Sequence, residues 1–278
     1  MEQCWIKKQN LMIDQGSLHE TTEDVTNPVP DVSIITVCKN VADTIACTIE
    51  SVMSQKHCNI EHLIIDGKSI DGTLEIIKNY SNMDTAKIKW LSELDTGIYE
   101  AINKGIRLSR GIWIHVLNSG DKYLSSDSLA QILNKEETKE CDMVLTPIIF
   151  HILDKDLKIL AYSEFDDKLK YFKSFHHQGI LIKRSFHEQY GLYDENYHII
   201  SDAIFNMKKA SRSKWIIINQ PIAEMISGGI SYKPSFLKIY ENIILILFFD
   251  RSSPHVKFIR IIKLIISEIV TVLMNVSK

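Results

Sequence analysis

The sequence predicts an α/β protein: an open, mainly parallel twisted sheet flanked by helices, with a C-terminal helical tail. Two observations in the first half carry this. Between Val32 and Leu117 short apolar, β-rich runs alternate with helical patterns of ten to twelve residues, which is the signature of βαβ units. Acids also fall where those strands stop: Asp66 ends the second, Asp95 lies just past the third and Asp121 follows the fourth. That edge, beyond the carboxyl ends of the strands, is where an open α/β sheet places a ligand.

The elements follow in order. Val32–Val37 (VSIITV) reads as a strand buried on both faces. Asp43 opens a helix with Ile45, Ile49, Val52 and Met53 on one face. Glu61–Asp66 is the second strand, ended by Gly67, and Asp71-Gly72-Thr73 starts a helix with the face Leu74, Ile77 and Tyr80. Lys87–Leu91 supplies the third strand, Ile98–Ser109 the third helix and Ile112–Leu117 the fourth strand. Beyond Asp121 the pattern loosens. Met143–Phe150 reads as one strand, 151–170 is ambiguous, and Gly179–Ile182, a helix near Asp202–Ala210 and a strand at Trp215–Ile218 follow.

The chain divides into a polar leader (1–30) closing on Asn27-Pro28-Val29-Pro30, a catalytic-type α/β domain (31–234) and a tail (235–278). The N-terminus lacks the basic-then-apolar order of a signal peptide, so the domain is expected on the cytosolic side. In the tail, Ile243–Phe249 is an unbroken apolar run, and Lys257, Arg260, Lys263, Ser267 and Thr271 form a polar stripe on an apolar helix. Neither piece has the roughly 20 consecutive apolar residues of a spanning helix. Two readings stay open, a helix in a membrane interface and a contact with the domain or a second subunit.

Several classes are disfavoured. A net charge of −3 offers no general attraction for nucleic acid. Cys4, Cys38, Cys47, Cys58 and Cys141 form no CxxC pair, which disfavours structural zinc and a disulfide framework. No GxGxxG follows the first strand, where the chain reads CKNVADT, and neither GxxxxGK[ST] nor GxSxG occurs. Dinucleotide oxidoreductases, P-loop kinases and α/β-hydrolases are therefore poor fits.

Three carboxylates at one sheet edge repel unless a cation or hydrogen-bond donors share the site; a hard divalent metal with a phosphorylated substrate would satisfy them. Asp66 and Asp95 read equally well as turn and cap residues. Asp202, at a helix start after His198-Ile199-Ile200, reads as a general base or as an N-cap. His176 and His177 are adjacent, and on a strand would point to opposite faces, so joint ligation of one ion is disfavoured. His177 and Gln178 read as lining the acceptor or diphosphate side, and His177 reads equally well as a hydrogen-bonded structural residue. The Ser227-Gly228-Gly229-Ile230-Ser231 segment reads as a loop near the site.

Ser33-Ile34-Ile35-Thr36 with Asn40, the turn Asp66 to Thr73, Asp95-Thr96-Gly97-Ile98-Tyr99 with Asn103-Lys104-Gly105, and Leu117-Asn118-Ser119-Gly120-Asp121 stand in order and together resemble a family 2 glycosyltransferase of GT-A fold. The likeness spans about Val32 to Tyr232 and is nearest to the bacterial branch building capsule, exopolysaccharide and O-antigen. It implies inverting transfer from a nucleotide-sugar donor, expected to be a UDP-sugar, to a glycan or lipid-linked acceptor. By this resemblance Thr36, Asn40, Asp66, Asp95, Asn103, Lys104 and Asn118 are the expected donor contacts. Asp121 is the expected ligand of Mg²⁺ or Mn²⁺, and Asp202 the base. Two departures stand out: Asp66-Gly67 where family members often have two acids, and Asn118-x-x-Asp121 where the family has Asp-x-Asp. Nucleotidyl transfer to a sugar phosphate and a non-catalytic sugar-nucleotide binder are the alternative readings.

Overall fold

The computed structural model describes residues 28–83, 87–152, 157–162, 164–166, 171–174, 176–209, 212–227, 235–250 and 252–276. Most of the expected leader and the glycine loop at 228–231 lie outside the described residues. The first half runs β1 (Val32–Cys38), α1 (Ile45–Met53), β2 (Ile60–Asp66), α2 (Thr73–Met83), β3 (Ile88–Ser92), α3 (Ile98–Leu108), β4 (Trp113–Val116) and β5 (Lys122–Tyr123). Short helices α4 (Ala130–Leu133) and α5 (Glu136–Lys139) lead to β6 (Met143–Leu145), β7 (Ile148–Ile152), β8 (Leu157–Ala161), β9 (Glu164–Asp166) and β10 (Tyr171–Ser174). A 3₁₀ turn (His177–Gly179), β11 (Ile180–Lys183), α6 (Arg184–Tyr190), α7 (Ser201–Lys209), β12 (Trp215–Ile217) and β13 (Ala223–Ile226) follow. The tail is α8 (Phe236–Ile244), a π-helical turn (Leu245–Phe249) and α9 (Pro254–Val276).

The expected βαβ alternation is present, and its strands build the main sheet in the order β12-β6-β11-β4-β1-β2-β3. β1 pairs in parallel with β2 and β4, β2 with β3, and β12 with β6; β11 alone runs antiparallel to its two neighbours. Every residue of β1 and β2 is buried, polar Ser33, Thr36, Glu61, His62 and Asp66 included, as strands covered by helices on both faces must be. Alternation along β1 separates the two layers. Ile35 and Val37 pack with Tyr99, Ile102 and Ile106 of α3 and with Phe186 and Phe205. Cys38 packs with Ile45 and Ile49 of α1 and Ile77 of α2. Gly105 lets α3 approach closely, because a Cβ there would meet Ile35 Cγ2 at 2.5 Å.

The structure corrects one strand. Met143–Phe150 divides into β6 and β7, which join different sheets. Pro147 has no N–H to donate to a ladder, and the Thr146 N–H (2.7 Å) and hydroxyl (3.1 Å) both donate to the Gly179 carbonyl, turning the chain away. A second sheet, β5-β13-β7-β8, results. It takes in part of the ambiguous 151–170 stretch and lies beside the loop carrying Asp121.

In the tail, part of the expected polar stripe on α9 turns toward the protein, while Lys263 and Ser267 stay exposed. Lys257 Nζ donates to the Leu247 carbonyl (2.9 Å), Arg260 pairs with Asp250, and Glu268 pairs with Lys238 at 2.7 Å. The outward side of α9 presents Phe258, Ile259, Ile262, Ile265, Ile266 and Ile269, each more than a third exposed. No helix among the described residues is long and apolar enough to cross a membrane.

Candidate active site

The site forms where the order of strands reverses. β1 lies between β4 and β2, so the loops leaving β1 and β4 flank one crevice at the carboxyl edge of the sheet. The loop after β4 is anchored to the first turns of α1. The Thr48 hydroxyl donates to the Asp121 carbonyl (2.7 Å) and accepts from the Gly120 N–H (2.9 Å), while the Thr44 and Ser119 hydroxyls lie 3.3 Å apart. Gly120 takes the left-handed conformation that turns the loop, with φ +95°.

Asp121 is 5% exposed. Its Oδ2 accepts from Gln178 Nε2 (2.8 Å) and its Oδ1 from the Ile226 N–H (3.1 Å). Burial pushes this carboxyl up to about 6, against the opposing pull of those hydrogen bonds and of His177. In the same loop Asn118 donates from Nδ2 to His177 Nε2 at 2.8 Å, and its Oδ1 is buried without a hydrogen-bond partner. A carboxylate and an orphaned amide oxygen on one loop are hard donors of the kind Mg²⁺ and Mn²⁺ accept, so the residues fit such an ion as a partial ligand set.

The expected cluster of three carboxylates is not formed. Among the described residues no group of three His, Cys, Asp or Glu side chains could hold a metal. The strand order explains this: β1 separates Asp66 on β2 from the β4 loop, a displacement of about 10 Å for two strand spacings. Asp66 is fully buried and works locally. Its carboxylate accepts from the Ser69 N–H (3.1 Å), the Ser69 hydroxyl (2.5 Å) and the Ser92 hydroxyl (2.6 Å). Asp95 is half-buried beside it; burial raises its carboxyl, opposed by Lys39 and Lys104. The departure at Gly67 has a steric reason, since a Cβ there would come within 2.6 Å of Asp95 Oδ2 and 3.2 Å of Lys39.

Other expected donor contacts also serve the frame. Thr36 is fully buried, with its hydroxyl 2.9 Å from His62 Nε2, and burial holds His62 neutral by lowering it to about 3. Asn103 is fully buried and clamps the loop before α7, donating to the Tyr193 carbonyl (2.9 Å) and Glu195 (2.8 Å) and accepting from the Tyr193 N–H (3.1 Å). Thr36, Asp66 and Asn103 therefore position the crevice from within rather than presenting free polar groups to it. Lys104 is caged by Glu93 (2.8 Å), Glu100 (3.1 Å) and the Leu94 carbonyl (3.0 Å). Its burial would lower the ammonium, but the two carboxylates outweigh that and raise it. Asn40, by contrast, is exposed at the crevice rim, held with φ 53° by a hydrogen bond from the Ile70 N–H (2.9 Å).

Across the crevice, Asp202 sits in the first turn of α7, as expected. Its Oδ1 accepts from the Tyr99 hydroxyl (2.7 Å) and the Ala203 N–H (2.8 Å), and its Oδ2 lies 3.3 Å from His177 Nδ1. The Asn118 amide nitrogen can only donate, so His177 Nε2 is an acceptor and the imidazole proton resides on Nδ1, facing Asp202. One chain of polar contacts thus joins the metal-type loop to the carboxylate opposite: Asn118, His177, Asp202, Tyr99. His177 and Asp202 remain 26% and 17% exposed, enough for a substrate to reach them.

Two contributors carry no assignment from the sequence. Tyr99 lies in a quoted motif, and only the fold shows its hydroxyl meeting Asp202. Glu241 lies in the tail, 2% exposed, and accepts from the N–H groups of His198 (2.8 Å), Ile199 (2.8 Å) and Ile200 (3.2 Å), the residues just before α7. An acid inside the apolar pattern of α8 was its only signal. Glu241→Ala strands three backbone donors, so we expect a loss of about 3 kcal/mol in unfolding free energy. An unchanged denaturant midpoint would refute the clamp.

The Glycosyl transferase family 2 model matches residues 33–213. A PGL/p-HBAD biosynthesis glycosyltransferase of Mycobacterium bovis (strain BCG / Pasteur 1173P2) is 27% identical over 181 residues, covering 64% of this chain and 69% of its own. Among solved structures, S. aureus TarS 1-349 in complex with UDP-GlcNAc superposes with a TM-score of 0.62 at 15% identity, over 81% of this chain and 69% of that one. The mannosyltransferase PcManGT from Pyrobaculum calidifontis, in complex with GDP-Man and Mn²⁺, gives 0.59 at 14% identity, over 95% and 75%. At these identities the structural likeness is one of fold.

Proposed function

The chain belongs to glycosyl transferase family 2, and from that premise we propose that it moves a sugar, with inversion, from a nucleotide-sugar donor to a glycan or lipid-linked acceptor in surface polysaccharide synthesis. The 31–234 segment is the catalytic domain of this reading and 235–278 its tail, which contacts a membrane surface or a second subunit. The supporting observation is the polar chain from Asn118 through His177 to Asp202, which sets a carboxylate across the crevice from a loop of oxygen donors.

In this reading Asp121 and the Asn118 amide oxygen hold Mg²⁺ or Mn²⁺. The bound ion supplies Lewis-acid stabilisation to the departing diphosphate. The Mn²⁺ in the PcManGT complex supports divalent metal use, and the UDP-GlcNAc and GDP-Man complexes support a nucleotide-sugar donor. Asn40, Asp95 and Lys104 line the donor side. Asp202 Oδ2 takes the acceptor hydroxyl proton as that oxygen attacks, because Oδ1 is already committed to Tyr99 and Ala203. His177 fixes the orientation of Oδ2, and Gln178 that of Asp121.

Incubating the protein with UDP-, GDP- and dTDP-sugars plus Mn²⁺ tests this. The expected result is nucleoside diphosphate release with one donor, chiefly a UDP-sugar, rising when an acceptor is added. Pyrophosphate release from a nucleoside triphosphate and a sugar phosphate would establish nucleotidyl transfer instead. Donor binding with no turnover of any acceptor would leave a binding protein.

A further inference from the structure

The tail is built inside out for an aqueous surface. On α9 the residues facing solvent are Phe258, Ile259, Ile262, Ile265, Ile266 and Ile269, a spacing of i, i+1, i+4, i+7, i+8, i+11 that covers an arc of about 120°. Three charged residues of the same helix turn inward. Arg260 meets Asp250, Glu268 meets Lys238, and Lys257 bonds the Leu247 carbonyl. On the preceding elements Phe236, Tyr240 and Phe248 are 92%, 63% and 76% exposed. Single exposed apolar side chains need no explanation, but a whole helix arc of them, beside exposed aromatic rings on the preceding elements, does.

The charge left at this surface selects its occupant. Residues 235–278 carry Lys238, Arg251, Lys257, Arg260, Lys263 and Lys278 against only Glu241, Asp250 and Glu268, whereas the whole chain is net −3. All three acidic side chains are buried, at 2%, 5% and 5% exposure, and two of them are matched by Lys238 and Arg260, so the net positive charge that remains falls on the other basic residues, exposed Lys263 among them. Exposed Lys263 borders the apolar arc itself. Two copies pairing through this face would set like charges together. An anionic lipid headgroup layer would meet the cations, while its acyl boundary takes the isoleucines and the aromatic rings settle at the headgroup level.

We propose that the outward face of α8 and α9 docks on the surface of an anionic lipid bilayer. This narrows the tail reading given above to one occupant, and it rests on surface chemistry independent of the catalytic assignments. Glu241 on α8 holds the backbone just before Asp202, so a docked tail keeps the base at a fixed height above the lipid, where a lipid-linked acceptor would present its sugar.

The full chain should sediment with phosphatidylglycerol-containing vesicles. Binding should fall about tenfold on pure phosphatidylcholine and again in high salt. The double variant Ile262→Asp/Ile266→Asp should stay in the supernatant with an unchanged melting temperature and unchanged nucleotide-sugar binding. Lys263→Glu, which leaves the apolar face whole, should weaken binding several-fold and serves if the double variant misfolds. Wild-type protein left in the supernatant with anionic vesicles overturns the proposal, and so does a folded double variant that still sediments. A dimer in light scattering that the double variant dissolves, with no vesicle binding, assigns the face to a second copy. Lost vesicle binding with donor binding retained removes this inference alone.

Discussion

Asp202→Asn is expected to lower kcat by about 10²- to 10⁴-fold, the range that positioned general bases supply. Its donor dissociation constant should be unchanged. The substitution keeps the contacts of Oδ1, because an asparagine oxygen can still accept from the Tyr99 hydroxyl and the Ala203 N–H, which now bond Oδ1 at 2.7 and 2.8 Å. What disappears is the second carboxylate oxygen, the one facing His177 and open to an acceptor hydroxyl. The amide nitrogen replacing it has no lone pair to take a proton. Two measurements separate this from damage to the fold: the melting temperature, expected within a degree or two of wild type, and calorimetric titration of the donor nucleotide with Mn²⁺. Near wild-type turnover in Asp202→Asn would end the base assignment, and His177 would become the next group to remove.

Local sequence pattern reaches only part of this structure. The βαβ half was legible because each strand is a short apolar run and each helix repeats at its own period, as in Val32–Val37 and the Ile98, Ala101, Ile102, Ile106 face. The places of Asp202 in the first turn of a helix and of Asp121 after a strand were legible from local pattern. Burial of Thr36, Asp66 and Asn103 was not, because polar residues at strand ends look alike whether they meet a ligand or a neighbouring loop. Only the fold supplies His62, Ser92 and Tyr193 as their partners. Asn118 is the sharpest case. Read along the chain it is a metal motif lacking an acid, whereas in space its amide donates to His177 and fixes the imidazole proton toward Asp202. An aspartate there would have no N–H to donate to that ring and would set carboxylates on both sides of it. In the tail the stripe was legible but its partners were not, because a helical stripe specifies an angle around the axis, not which side meets the protein.

Asp121→Asn carries the second large effect. Loss of the one carboxylate on the oxygen-donor loop should weaken metal–nucleotide binding and lower kcat/KM by about 10²-fold or more, equivalent to roughly 3 kcal/mol of the several that a positioned cation contributes. The asparagine should fold normally, since its oxygen can keep the Ile226 N–H bond and its neighbour Gln178 can present its unpartnered Oε1 to the new amide. A pH signature distinguishes ligand loss from a packing defect. Burial lifts the Asp121 carboxyl to about 6, so protons compete with the cation for it across a range where ordinary carboxylates are already ionised. Below about pH 6 the wild-type affinity for Mn²⁺–nucleotide should therefore fall close to tenfold per pH unit, as the group must lose a proton to bind. Above that value it should level off. In Asp121→Asn this acid limb should vanish and leave a flat, weak affinity. Calorimetric titrations of the two proteins across that range test the point: parallel acid limbs would mean that another group holds the metal, and equal affinities at neutral pH would mean that Asp121 does not.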